Sequence, residues 1–189
     1  MDLRPIGLTG SIAGGKSTVL AHLAEMGLRA ASSDVVAREI FLEDSIQAEL
    51  AKRLGVPVPV TPTVLREAIL REPGLRRWVN RLMHPMVGRR VSSLEVDVVE
   101  VPLLFEACLQ HRYREVWTVT CTAPERARRL RLRYGPDADL RALGAWQLND
   151  DVKNALADVI VRTDLSSETV LKVLRAEAAR CFPGRIALP

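Results

Sequence analysis

One segment near the start of the chain restricts its possible folds more than any other feature. Residues 10–17 read Gly-Ser-Ile-Ala-Gly-Gly-Lys-Ser, which matches the phosphate-binding pattern G-x-x-x-x-G-K-[ST]. A short apolar run from Pro5 to Gly10 predicts a strand before it, and apolar residues at helical spacing from Lys16 to Met26 predict a helix after it. In that context glycines let the backbone wrap closely around phosphates, and the helix dipole attracts them.

Two side chains of this segment add to the backbone cradle. The ammonium group of Lys16 can bridge the β- and γ-phosphates of a nucleotide, and the Ser17 hydroxyl is placed to ligate Mg²⁺. A glycine-rich turn that merely caps a helix is the alternative. The pattern does not distinguish a kinase from a GTPase, an ATPase or a nucleotide-regulated switch.

The rest of the chain alternates short β-branched runs with helical patterns. Further strands are predicted at Leu28 to Ala31, Val96 to Val101, Val116 to Cys121 and Val159 to Val161. After the third of these strands the predicted helices are Pro124 to Tyr134, Ala138 to Leu148 and Ser167 to Arg180. This alternation predicts a three-layer α/β domain around a central parallel five-stranded sheet, with ligands at the carboxyl ends of the strands.

Length and composition limit the number of domains and the kind of ligand. A chain of 189 residues fits one compact domain, residues 1–189, with a small inserted subdomain. The net charge of +4 favours a phosphorylated small molecule, and an aromatic content of 4% gives little support for nucleic-acid binding. No apolar run reaches the roughly 20 residues of a membrane span, and the start lacks a secretory signal, so we expect a cytoplasmic protein.

Asp34 is the first candidate for the acceptor side of a phosphoryl transfer. It follows the second predicted strand, where its carboxylate can accept a hydrogen bond from an attacking hydroxyl as a positioning group or general base. The sequence leaves open the alternative that Asp34 is the N-cap of the helix that follows.

Several short motifs follow one another along the chain. They are Gly7-Leu-Thr-Gly-Ser-Ile-Ala-Gly-Gly-Lys-Ser-Thr18, Asp34-Val-Val-Ala-Arg38, His84-Pro85, Val101-Pro-Leu-Leu-Phe-Glu106, Arg129-Leu-Arg-Leu-Arg133, Gln147, Lys153 and Ala157-Asp-Val-Ile160. In this order and spacing they resemble the dephospho-CoA kinase family, over nearly the whole chain. Three positions depart from the family pattern: Ala13 and Thr163 stand where glycine and asparagine are usual, and Leu143 stands where arginine is usual.

The resemblance implies a P-loop NTPase fold and transfer of the ATP γ-phosphate to the 3′-hydroxyl of dephospho-CoA, with Mg²⁺. It implies a core of about 1–44, 96–124 and 149–189, a helical substrate-binding insertion at 45–95 and an arginine-bearing lid at 125–148. The implied catalytic residues are Lys16, Asp34 and Arg133, and Ser17 is the implied metal ligand. The implied ATP-binding residues are Gly10, Ser11, Ile12, Ala13, Gly14, Gly15, Lys16, Ser17, Thr18, Arg129 and Arg133. The implied acceptor-binding residues are Asp34, Arg38, His84, Leu104 and Glu106.

Other readings remain at this point. Either Glu100 or Glu106 could help to organise Mg²⁺ through water, or the two could be a strand end and a helix cap. Another P-loop kinase, acting on a nucleoside, nucleotide or hydroxylated metabolite, is the nearest alternative function. A guanine-nucleotide switch is disfavoured because no Asn-Lys-x-Asp segment is present, and a nucleic-acid module would need clustered aromatics. We expect no nucleic acid, membrane or obligate protein partner.

Overall fold

The computed structural model describes residues 4–136, 139 and 144–186. Five strands lie in that part of the chain: β1 (Ile6–Gly10), β2 (Ala30–Ser32), β3 (Val98–Glu100), β4 (Val116–Thr120) and β5 (Val159–Arg162). They form one parallel sheet in the order β2-β3-β1-β4-β5. The parallel five-stranded sheet predicted from the sequence is confirmed.

Helices occupy most of the remaining described chain. They are α1 (Lys16–Glu25), α2 (Ser33–Phe41), α3 (Asp44–Leu54), α4 (Pro62–Arg71), α5 (Pro73–Ser93), α6 (Ala123–Tyr134), α7 (Asp150–Leu156) and α8 (Ser167–Cys181). The predicted helix from Ala138 to Leu148 falls largely on residues outside the described part. None of the helices in the described ranges is long and apolar enough to cross a membrane.

The described residues divide into two compact units. The first comprises those within Met1–Ser32 and Val96–Pro189, and the second is Ser33–Glu95. The first unit has its core on β1 and β4, where Leu8 and Trp117 are fully buried against Val19 of α1 and Leu174 of α8. Burial of each such side chain stabilises the fold by about 1.5–3 kcal/mol. The core therefore fixes β1, and with it the loop between β1 and α1.

The second unit is built from α2 to α5. Its core contains Ile40 of α2, Leu50 of α3 and Met83 of α5, together with Val60. Thr61 caps α4 by accepting a hydrogen bond from the Val64 amide at 3.3 Å. The predicted insertion at residues 45–95 falls inside this unit, which begins at Ser33.

Candidate active site

The loop between β1 and α1 has a backbone that only glycine fits at two positions. Gly10 has φ 145° and Gly15 has φ 97°, both in the region that disfavours other residues. A Cβ atom on Gly10 would lie 2.2 Å from the carbonyl oxygen of Val119 in β4, and one on Gly14 would lie 2.9 Å from the same atom. The loop is therefore packed directly against the carboxyl end of β4.

Ala13 lies in the left-handed region, with φ 58°. This is the position at which the dephospho-CoA kinase pattern usually has glycine. For a residue with a Cβ atom the left-handed conformation costs about 1–2 kcal/mol. The chain thus keeps the loop conformation at this position in spite of the substitution, and carries local backbone strain there.

Lys16 is the first residue of α1 and is only 9% exposed. Its Nζ donates hydrogen bonds to the carbonyl oxygens of Gly10, at 2.9 Å, and of Ser11, at 3.1 Å. Ser17 and Thr18 are exposed in the first turn of the same helix, where backbone amides have no intrahelical acceptor. An ammonium group and free amides therefore converge at the loop, which is the chemistry of a polyphosphate site.

Each of the three residues after Gly10 is contacted by a residue of α6, of α7 or of the segment that leads into α7. Ser11 Oγ donates to Asp150 Oδ1 at 2.5 Å, and the Ile12 amide donates to Gln147 Oε1 at 2.8 Å. The carbonyl oxygen of Ala13 lies 3.4 Å from Arg129 Nη1. Residues 11–13 of the loop are thus held by side chains that are distant in sequence.

Arg129 and Thr163 form a second layer behind the loop. Arg129 donates to Thr163 Oγ1 at 2.8 Å and to the Thr163 carbonyl oxygen at 2.7 Å, and Thr163 Oγ1 donates to the Gly14 carbonyl oxygen at 2.7 Å. Glu125 orients Arg129 through a 2.7 Å ion pair. Hydrogen bonds from Arg128 and Arg129 lower the pKa of Glu125 to about 2, so its carboxylate stays charged.

Arg133 does not join this group of contacts. It is exposed, and its guanidinium lies 5.4 Å from the ring centroid of Tyr134. Arg129 and Arg133 are one helical turn apart on the same face of α6. The structure therefore brings the first of the two predicted lid arginines to the loop and leaves the second in solvent.

A cleft of about 640 Å³ opens beside Arg129. Its lining residues are Thr122, Pro124, Glu125, Arg128, Arg129, Thr163, Asp164 and Leu165. A hydrogen bond from Arg162 lowers the pKa of Asp164 well below its usual value, and the amide of Thr122 also donates to Asp164. The cleft is contiguous with the loop because Arg129 and Thr163 contact both.

The carboxylate of Glu106 is held by two hydrogen-bond donors of the same unit. Its Oε1 accepts from the Leu148 amide at 2.8 Å and pairs with Lys153 Nζ at 2.8 Å, and Lys153 is fully buried. Its Oε2 is buried and has no hydrogen-bond partner among the described residues. Leu104, which the resemblance assigns to the acceptor, has no exposed surface and packs beside Gly7 of β1. Its side chain is therefore a packing group in this structure.

The remaining acceptor-side residues lie in the helical unit. Asp34, Arg38 and His84 are all exposed. Because α2 begins at Ser33, Asp34 lies in the first turn of the helix. Asp34 and Arg38 are separated by one turn on α2, so they share a face.

Sequence reasoning missed the contribution of Asp150, and among the arginines of the predicted lid it favoured Arg129 and Arg133 over Arg126, the ion-pair partner of Asp150. The sequence also assigned no role to Gln147. Thr163 departs from the family pattern, and this left the contact made at that position in doubt. A local signal for α7 was present: Asn149 is an N-cap residue whose side chain accepts from the Val152 amide at 2.9 Å, and two aspartates follow it. That signal predicts a helix start, but not which side chains reach the loop.

The chain is similar to known proteins over most of its length. Residues 4–169 match the family model described as dephospho-CoA kinase. A dephospho-CoA kinase of Synechococcus sp. (strain CC9605) is 36% identical over 175 residues, covering 84% of this chain and 84% of the relative. A solved structure from Thermus thermophilus matches with a TM-score of 0.76 and 27% identity, covering 94% of this chain and 98% of that one. The dephospho-CoA kinase of Campylobacter jejuni shares the fold, with a TM-score of 0.71 at 20% identity, covering 96% of this chain and 98% of that one.

Proposed function

The chain belongs to the dephospho-CoA kinase family, and from this premise we propose that it transfers the γ-phosphate of ATP to the 3′-hydroxyl of dephospho-CoA, giving CoA and ADP. The observation that carries the proposal is the loop at residues 10–17. Its left-handed glycines, buried Lys16 and open first turn of α1 form a cradle for a polyphosphate. The reaction requires only small-molecule partners, and a cytoplasmic location belongs to the same proposal.

On the nucleotide side, Lys16 bridges the β- and γ-phosphates, and the amides of the loop and of Ser17 and Thr18 donate to phosphate oxygens. The exposed Ser17 hydroxyl is an oxygen donor of the kind that Mg²⁺ prefers, so the residues present fit this ion. Mg²⁺ would reduce the charge barrier to transfer. We propose that the cleft beside Arg129 takes the rest of the nucleotide, since its volume of about 640 Å³ suits a ligand of that size.

On the acceptor side, we propose that Asp34 orients the attacking hydroxyl and accepts its proton. Its exposed carboxylate on the first turn of α2 supports this role. Arg38 and His84, both exposed in the same unit, are proposed to bind the acceptor. Arg38 would contact an acceptor phosphate, which suits the fixed charge and fork geometry of a guanidinium.

Two predicted acceptor-binding residues take a modified role. Leu104 supports the site by packing against β1. Glu106 remains a candidate because Oε2 still has acceptor capacity, while Oε1 is held by Lys153 and Leu148. Arg129 and Arg133 are proposed to stabilise charge that develops on the transferred phosphoryl group.

The test is a turnover assay with purified protein, Mg-ATP and a panel of acceptors, in which ADP release and product mass are both measured. We expect a product heavier than dephospho-CoA by one phosphoryl group, and little or no product from nucleosides or other hydroxylated metabolites. Lys16→Ala is the control variant, and it should abolish turnover without changing the circular dichroism spectrum. Preferential phosphorylation of another acceptor would favour the alternative P-loop kinase.

A further inference from the structure

Asp150 connects three separate parts of the nucleotide-binding unit. Its Oδ1 accepts the Ser11 hydroxyl at 2.5 Å. Its Oδ2 accepts the Thr120 hydroxyl at 3.2 Å and forms an ion pair with Arg126. The phosphate-binding loop, the end of β4 and the start of α6 are therefore all joined at the first residue of α7.

The surroundings make these contacts strong. The side chain of Asp150 is 15% exposed and that of Arg126 is 25% exposed, so solvent screens the pair only in part. Hydrogen bonds to a charged group are about twice as strong as those between neutral groups.

The pair has a particular position in the chain. Arg126 lies on the first turn of α6 and Asp150 begins α7, so their contact joins two residues that are 24 positions apart along the chain. The neighbouring Gln147 holds the Ile12 amide at 2.8 Å. Both ends of the predicted lid are thereby connected to residues 11 and 12 of the loop.

We propose that Asp150 is a positioning residue for ATP: through Ser11 and Arg126 it holds the phosphate-binding loop and the two ends of the lid in one arrangement, and ATP affinity depends on that arrangement. The proposal rests on the proposed function for the identity of the nucleotide. Asp150 acts through Ser11, a residue of the loop. Its removal leaves the Ser11 hydroxyl without its acceptor and Arg126 without its carboxylate.

The experiment measures Mg-ATP binding by calorimetry, without acceptor, for Asp150→Ala and for Asp151→Ala. Asp151 is the matched control, because it is an exposed aspartate in the same first turn of α7. We expect Asp150→Ala to weaken ATP binding about tenfold, the scale of a lost charge-assisted hydrogen bond. Asp151→Ala should bind as the unaltered protein does. Asp150→Asn, which keeps an acceptor oxygen but loses the charge, should give an intermediate loss.

A double-variant cycle separates positioning from general stability. If Asp150 acts through Ser11, the Ser11→Ala and Asp150→Ala double variant should lose no more ATP affinity than Asp150→Ala alone. In turnover, the KM for ATP should rise while the KM for the acceptor stays unchanged. Additive losses in the double variant, or Asp150 variants that melt earlier but bind ATP normally, would overturn the proposal. ATP binding is measured without acceptor, so failure to phosphorylate dephospho-CoA would count against the proposed function alone.

Discussion

Lys16 shows how a single residue prepares the loop for its ligand. Its ammonium group donates hydrogen bonds to two carbonyl oxygens of its own loop, those of Gly10 and Ser11. A bound phosphate offers oxygens with full negative charge, which are stronger acceptors than neutral carbonyls. A bound phosphate would therefore compete with these carbonyl oxygens for the ammonium group, which the fold already holds at the loop.

The change Asp34→Asn distinguishes a catalytic role of this residue from a structural one. We predict that Asp34→Asn preserves ATP binding and lowers kcat for acceptor phosphorylation by about a hundredfold, the scale expected for the loss of a positioned acid–base group. A purely structural aspartate in the first turn of α2 contributes only about 0.3–1 kcal/mol through the helix dipole. Calorimetry with Mg-ATP, the melting temperature and kcat, all measured on this variant, check the prediction.

The control for Asp34 is Asp44→Asn, which alters an aspartate at the start of α3 in the same unit. Both variants should show a similar small change in melting temperature, and only Asp34→Asn should lose rate. A near-normal kcat for Asp34→Asn would remove the proposed catalytic role and leave the family assignment intact.

The strain at Ala13 gives a stability prediction. Its φ of 58° is favourable for glycine and costs a residue with a Cβ atom about 1–2 kcal/mol, whereas glycine loses more backbone entropy on folding. The net expectation is that Ala13→Gly stabilises the protein by about 0.5–1 kcal/mol. Chemical denaturation checks this, and Ala21→Gly in the middle of α1 should change the free energy of unfolding in the opposite direction.

At the scale of the helix, α6 carries two arginines with different surroundings. Arg129 is held by Glu125 and Thr163, whereas Arg133 is exposed. We predict that Arg129→Ala both weakens ATP binding and lowers kcat, because it disturbs the layer behind the loop. Arg133→Ala should lower kcat about tenfold or more with little effect on ATP affinity, since it acts only on charge that develops in the transition state.

Arg131→Ala is the matched control for both variants, because Arg131 is exposed on the same helix and faces away from the other two. Its kinetic constants should be those of the unaltered protein. If Arg129 and Arg133 variants behave like the Arg131 variant in both ATP binding and kcat, then α6 is only a solvated helix face.

Local signals explain which elements the sequence revealed. The strand before Gly10 and the helix after Lys16 follow from a motif whose residues are contiguous. By contrast, the sequence pattern did not predict α7, because seven residues are too few to show helical periodicity. Only the N-cap residue Asn149 indicates that a helix begins there. The fully buried Lys153 could not be anticipated either, since its burial depends on Glu106, which is distant in sequence. Contacts of this kind are fixed by tertiary structure.

For the whole molecule, the division into two units separates the proposed roles. The residues proposed for ATP, such as Lys16 and Arg129, lie in the unit that contains the sheet, and Asp34, Arg38 and His84 lie in the helical unit. Each unit has its own core. With Glu106 as the exception on the acceptor side, Asp150→Ala in the sheet-containing unit should therefore raise chiefly the KM for ATP, and Arg38→Ala and His84→Ala in the helical unit chiefly the KM for the acceptor.

Two carboxylates at the amino ends of the strands determine how the fold responds to acid. Burial alone would raise the pKa of Asp97, but hydrogen bonds from Arg185 and from the amide of Arg29 outweigh it and lower the pKa from 3.8 to about 2. Hydrogen bonds from Arg180 lower the pKa of Glu115 from 4.5 to about 2, against the effect of burial. Arg185 also pairs with Asp97 through both carboxylate oxygens, at 2.8 and 2.9 Å.

Because the folded-state pKa values are lowered, the stability from these two groups is fully present above about pH 4.5 and is lost as the pH falls toward 2. From these shifts Asp97 should contribute about 2 kcal/mol and Glu115 about 3 kcal/mol. We predict that Arg185→Gln and Arg180→Gln lower the free energy of unfolding at pH 7. In both variants this free energy should fall less steeply between pH 4.5 and pH 2, because the carboxylates then titrate nearer their usual values. Chemical denaturation at several pH values checks this, with Arg89→Gln, an exposed arginine of α5, as the control. Parallel pH curves for all these variants and the unaltered protein would show that neither carboxylate controls acid stability.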